Sequence, residues 1–134
     1  MKPAAVTDTH SLIWFLEDSP RLGLGAGQFF DDCVRGESIV YVPTICLVEI
    51  VYLYEKGRIP AVFRNLLAEE LRQGSSFIVA DLTWSVVEAL SRVPRTLAPD
   101  MPDRIIAATA LSLEVPLITR DHSLAQIPGL QIIW

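Results

Sequence analysis

The chain predicts an α/β fold: a mostly parallel sheet with helices on both faces. Three observations carry this. Short β-branched or apolar runs alternate with segments of helical length. These runs are too short and too continuously apolar to be exposed hairpin arms, as expected of strands covered on both sides. Glycines and prolines punctuate the chain at the spacing of alternating units, with no repeat, low-complexity stretch or linker between them. One domain spanning residues 1–134 is therefore expected, large enough to bury roughly two-thirds of the surface of its unfolded form.

Taken in order, AAVTD predicts a strand ending in Asp8, followed by a helix from His10 to Glu17. RLGLGAGQFFDDCVRG reads as a loop entering a helix; Gln28 stands where a dinucleotide-binding pattern needs its last glycine, and no strand precedes it. SIVYVP is a β-branched strand stopped by Pro43. TICLVEIVYLYEKG returns to helical spacing and closes on Gly57 as a C-terminal cap. Pro60 opens the next helix, PAVFRNLLAEELRQG, which Gly74 stops. FIVA follows as a strand, TWSVVEALSRV and PDRIIAATALSL as helices, and VPLIT and LQIIW as the last strands.

Composition narrows the function. A hydrophobic content of 51% and a mean hydropathy of +0.37 are high. Yet no charge-free run reaches the roughly 18 residues of a membrane span, and the run from Ser38 to Val48 contains Pro43. The apolar excess implies elements covered on both sides, or an interface with a second copy or another partner. Asp8 interrupts the N-terminal apolar stretch before a signal-peptide core can form, so a cytoplasmic location is expected. Cys33 and Cys46 lack metal-binding or disulfide-scaffold spacing and read as small buried hydrophobes. Trp14, Trp84 and Trp134 fall in apolar surroundings and read as core or interface. A net charge of −5 disfavours gripping nucleic acid by bulk electrostatics, so any such binding needs a local patch.

The acids supply the sharper signal. Ligands of parallel sheets bind beyond the carboxyl ends of the strands. Asp8 ends the first strand, and Asp121 follows VPLIT after one arginine. Asp103 lies in the first turn of the helix after Pro102, with Asp100 three residues earlier. Glu49 is the only formally charged residue between Glu37 and Glu55, set among Leu47, Val48, Ile50 and Val51. A buried lone carboxylate costs several kcal/mol even after relaxation, so Glu49 needs a partner or a proton. If Asp8, Glu49, Asp103 and Asp121 lay about 5 Å apart, each pair would repel by roughly 3 kcal/mol at an effective dielectric near 20. A divalent cation removes that conflict, and oxygen-only ligands favour Mg²⁺ or Mn²⁺. Its bound water can be activated to attack phosphorus.

Each acid also has a plainer explanation. Asp100 and Asp103 can cap a helix and complement its dipole, and Asp8 and Asp121 can cap the turns that follow them. Glu49, within a helix among hydrophobes, is harder to explain in this way. Thr9 and Thr119 can bond a carboxylate or a metal-bound water, or simply pack. Arg104 and Arg120, each beside an acid, can steer a phosphate backbone or make surface ion pairs. His10 and His122 also adjoin acids, as phosphate- or water-orienting groups or as boundary residues.

These segments together resemble the PIN-domain ribonucleases, and in particular the single-domain VapC-like toxins of toxin–antitoxin pairs. VTDTHSLIWFL is similar to that family's opening strand with its metal-binding Asp, here Asp8. VPTICLVEIVYLYEKGRI resembles the segment carrying its second acid, Glu49, and DMPDRIIAATALSLEVPLITRDHSL its most diagnostic block, with Asp103 and Asp121. Many relatives read Asp-Pro-x-Asp-Arg where this chain has Asp100, Met101, Pro102, Asp103 and Arg104, so Asp100 is assigned a supporting role. The resemblance implies a Rossmann-like three-layer α/β/α sandwich and an Mg²⁺- or Mn²⁺-dependent endoribonuclease. It further implies an RNA substrate, a homodimer and a small antitoxin partner. Two rivals remain: an inactive PIN-like binding module, and a Mg²⁺-dependent phosphoacceptor or phosphatase domain. The latter chemistry needs a lysine on the phosphoryl group, and the only lysines are Lys2 and Lys56.

Overall fold

The computed structural model describes residues 1–72 and 74–134. Among these, the elements run β1 (Ala4–Thr7), α1 (Thr9–Leu16), α2 (Leu24–Val34), β2 (Ile39–Pro43), α3 (Thr44–Glu55), α4 (Val62–Glu70) and β3 (Phe77–Ala80). They continue with α5 (Trp84–Ala89), α6 (Met101–Leu113), β4 (Leu117–Ile118) and β5 (Ile132–Ile133). All strand pairings are parallel, in the order β3-β2-β1-β4-β5. Val6 of β1 lies between Tyr41 of β2 and Leu117 of β4, so β1 is central. Parallel crossovers are right-handed, so the chain lays α1 to α4 on one face as it winds from β1 to β3. It then returns through α5 and α6 on the other face to reach β4, giving three α/β/α layers. The direction of winding reverses between β1 and β4, which opens a crevice at their carboxyl ends. Helix α3 touches both α1 and α6.

The elements follow the sequence with four adjustments. Helix α2 starts at Leu24, so Gly25 and Gly27 lie within it, where the sequence placed the helix after its glycines. The helix after Pro60 ends at Glu70, ahead of the expected stop at Gly74; Gln73, within that expected helix, lies outside the described residues. The helix TWSVVEALSRV is α for one stretch and then tightens to a 3₁₀ turn at Leu90–Arg92, because Val93 precedes Pro94 and is held extended at φ −107°, ψ 103°. The stretch after Asp121 is a 3₁₀ turn, His122–Gln126.

Phe30, Phe63, Leu12, Ile106, Leu117 and Ile118 are fully buried, each worth about 1.5–3 kcal/mol by removal from water. Phe15 stacks on Phe30 at 4.6 Å between centroids, tying α1 to α2. Cys33 and Cys46 are free and buried, as expected, and burial pushes the Cys33 thiol up to about 12. The glycines of GLGAG have a packing reason. A β-carbon at Gly23 would lie 2.7 Å from Trp134, and one at Gly25 would lie 2.5 Å from the Trp134 carbonyl oxygen, which accepts the Gly25 N–H. No helix among the described residues is long and apolar enough to cross a membrane.

Candidate active site

Asp8 sits where β1 hands over to α1. Its backbone N–H donates to the Ile118 carbonyl of β4, and its Oδ1 accepts the Ser11 N–H at 2.9 Å, capping α1. The aspartate is thus fixed beside the β1–β4 crevice by the same bonds that start the helix. Helix α3 brings Glu49, half-buried, to meet the Thr9 hydroxyl, which donates to its Oε1 at 2.5 Å. Thr9 is itself buried, so this bond holds the carboxylate in one place. Asp103 stands in the first turn of α6. Asp100, at that helix's N-cap position, makes no capping bond with its side chain. Asp121 is exposed and caps the 3₁₀ turn, its Oδ1 accepting both the Ser123 N–H at 3.1 Å and the Ser123 hydroxyl at 2.5 Å.

Asp8, Asp103 and Asp121 line one cavity of about 180 Å³. His10, Trp14 and Arg120 line it as well, and the buried Ile106, Leu117 and Leu124 close it toward the core. Glu49 does not line it and is held beside Thr9. The charges nevertheless act on one another. The Asp103 carboxyl is exposed on its outer side but pushed up to about 6, first by the loss of water on the side facing the protein, then by Asp100, Glu49 and Asp8, with His10 opposing. The buried Cys46 thiol is also raised, chiefly by burial, and Asp8, Glu49 and Asp103 all contribute. Two different groups therefore register the same acids, drawn from three distant segments.

Among the described residues, no group of three His, Cys, Asp or Glu side chains is arranged to hold a metal ion directly. The donor set is still all oxygen, and Asp100, Glu49 and Asp8 all raise the affinity of Asp103 for positive charge. Mg²⁺ commonly keeps several waters and takes one or two carboxylates. The residues fit an ion of that kind, held partly through water.

The other predicted residues are placed as follows. Arg104 turns away to donate from Nε and one terminal nitrogen to the carbonyls of Val93 and Leu90, both at 2.9 Å, clamping the 3₁₀ turn onto α6. Arg120 is exposed, its guanidinium carbon 6.0 Å from the centre of the Trp14 ring. The Thr119 hydroxyl accepts the Asp121 N–H at 3.2 Å, and Thr119 lines the cavity. His122 is exposed in the 3₁₀ turn. Trp14, which the sequence assigned to core or interface, is half-buried and forms part of the cavity wall. The missed signal was its spacing: His10 and Trp14 are four residues apart on α1, which puts both rings on one helix face beside Asp8. Trp84 is 72% exposed.

Comparison with known proteins agrees with this architecture. Ribonuclease VapC22 of Mycobacterium tuberculosis is 28% identical over 122 residues, covering 87% of this chain and 86% of that protein. The VapBC2 complex of Rickettsia felis bound to a DNA fragment from its promoter superimposes with a TM-score of 0.74 at 16% identity, over 96% of each chain. DNA-bound VapBC of Salmonella typhimurium superimposes with a TM-score of 0.66 at 22% identity, over 98% of this chain and 97% of that one. A family model described as PIN domain matches residues 5–130, nearly the whole chain, and the chain therefore belongs to the PIN domain family.

Proposed function

We propose that residues 1–134 act as one metal-dependent endoribonuclease domain, the toxin of a toxin–antitoxin pair acting in the cytoplasm. The observation that carries this reading is the convergence of Asp8, Asp103 and Asp121 on one cavity at the β1–β4 crevice, where Asp103 also feels Asp100 and Glu49. Membership of the PIN domain family and the similarity to a ribonuclease support it.

Asp8, Glu49, Asp103 and Asp121 would hold Mg²⁺ or Mn²⁺, directly or through water. The bound ion supplies an activated water and offsets charge gathering on the phosphodiester. Thr9 fixes the Glu49 carboxylate, and Ser11 fixes Asp8, so neither must be ordered when substrate arrives. Asp100 adds negative charge beside Asp103. Thr119 holds the loop that carries Asp121. Arg120, on the open wall, faces the phosphate backbone of single-stranded RNA. Val48, Val51 and Tyr52 of α3 are exposed, and this apolar surface supports protein partners, an antitoxin and a second copy of the chain. Nothing favours a phosphoacceptor or an inactive module: Arg120 is the one formal cation lining the cavity among the described residues, and no lysine lies there.

The test is cleavage of labelled RNA in Mn²⁺ by the wild type, Asp8→Asn and Asp103→Asn. Asparagine caps helices as well as aspartate does, so Asp8→Asn removes charge and keeps the α1 cap. Both variants are expected to lose about 100-fold or more, and EDTA to silence the wild type. Equal cleavage by all three proteins would defeat the assignment.

A further inference from the structure

Trp14 lines the cavity and is only half-buried, an aromatic surface that neither an ion nor a phosphate would use. The same cavity is lined by Asp8 and Asp103, which would repel an RNA backbone, in a chain whose net charge of −5 offers no general attraction for one. A cation held by those acids would anchor the scissile phosphate, but it offers nothing to the base beside that phosphate. The Trp14 ring packs against that of Trp134, edge-on at 5.9 Å between ring centres. The His10 ring lies 5.8 Å away, tilted by 49°, and the Arg120 guanidinium carbon lies over the indole at 6.0 Å from its centre. A half-buried indole and an adaptable cation on an exposed stem make a surface for a flat ring that carries a phosphate.

Building on the endoribonuclease reading, we propose that Trp14 is a substrate-recognition residue. The nucleobase adjoining the scissile phosphate leaves its stack, enters the cavity and packs on the Trp14 indole, while Arg120 holds the phosphate attached to that nucleoside. Base–aromatic stacking needs only a π-face, so the site selects unstacked single strands before it selects a sequence. It also sets register, because the base in the cavity places its own phosphate next to Asp8 and Asp103.

The experiment starts from a bond in single-stranded RNA that the wild type cleaves in Mn²⁺, found in a randomised pool. The nucleosides on either side of that bond are then replaced, one at a time, by an abasic residue. Removing the recognised base is expected to lower wild-type kcat/KM by about 5- to 150-fold, the equivalent of one stacked base. In Trp14→Leu the intact and abasic RNAs are expected to be cleaved equally, and Trp14→Phe to keep part of the preference. Trp84→Leu, on an exposed ring that does not line the cavity, is expected to keep all of it. Equal cleavage of intact and abasic RNA by the wild type overturns the proposal, even if Trp14→Leu fails to fold, and leaves the nuclease reading standing. A preference that survives in folded Trp14→Leu also overturns it. Absence of any RNA cleavage by the folded wild type removes the nuclease reading and this one together.

Discussion

Helices α3 and α6 both carry an acid to the crevice, and they are built in opposite ways. Helix α6 buries an unbroken run from Ile105 to Leu111, with Ala107, Ala108 and Ala110 wholly inaccessible. Helix α3 has the more apolar sequence, TICLVEIVYLYE, yet only Cys46 and Ile50 are buried, while Val48 is 43% and Tyr52 60% exposed. Small side chains let a helix lie tightly between a sheet and its neighbours; large ones on a bridging helix are left facing outward. Asp103 thus stands on a backbone embedded in the core. Glu49 stands on a half-covered one, and a hydroxyl from α1 sets its position. One acid is placed by packing, the other by a hydrogen bond.

The contrast is sharpest in stability. Ala108→Leu forces extra methylenes into the seam of α6 and is expected to lose roughly 1–3 kcal/mol, whereas Tyr52→Ser on α3 should stay within about 0.5 kcal/mol. Urea midpoints measure both, and similar losses would mean that the two helices are equally embedded. Next in size is Thr9→Val, which keeps the shape of the buried residue and deletes the donor to Glu49. A loss of roughly 1.5 kcal/mol is expected, the low end for a bond to a charged group, because half-buried Glu49 regains some water. In a double-mutant cycle with Glu49→Gln, independent effects would show that the bond does not place the acid.

The smallest effect is in pH. With its folded pKa raised to about 6 from an ordinary 3.8, Asp103 binds its proton more tightly in the native protein than in the unfolded chain. Its contribution to stability therefore falls as pH rises through that window, and the loss is complete above it. Metal-free Asp103→Asn is expected to lack this part of the decline and to melt higher than the wild type at neutral pH. Saturating Mn²⁺ should restore the wild type. Parallel melting curves for the two proteins between about pH 4 and 7 would show that the acids do not act on Asp103.

Much of the fold was legible because apolar runs and their punctuation are local signals: Pro43, Gly57 and Pro102 mark the edges of β2, α3 and α6 in the chain and in space. What was hidden depends on contacts between distant segments. GLGAG announced a loop, but the need for glycine at positions 23 and 25 comes from Trp134 pressing against them. Arg104 stands next to Asp103 in sequence, and only the fold sends it to the Val93 and Leu90 carbonyls. The acids stood out by their odd setting. Trp14 did not, since an indole in an apolar helix looks the same whether it faces a core or a cavity. Capping and function also overlap: the oxygens of Asp8 and Asp121 that bond helix starts belong to the residues that line the cavity, so the plainer explanation of each acid holds without displacing the other.

The central strand has one further consequence. Val6 and Thr7 complete their pairing only with Leu117 and Ile118, and Asp8 is tied to that same late strand. While a ribosome is still making the chain, β1 has no right-hand neighbour and the crevice has no second wall. The crevice is thus assembled only once Leu117 and Ile118 have been made and have found a partner more than a hundred residues earlier in the chain.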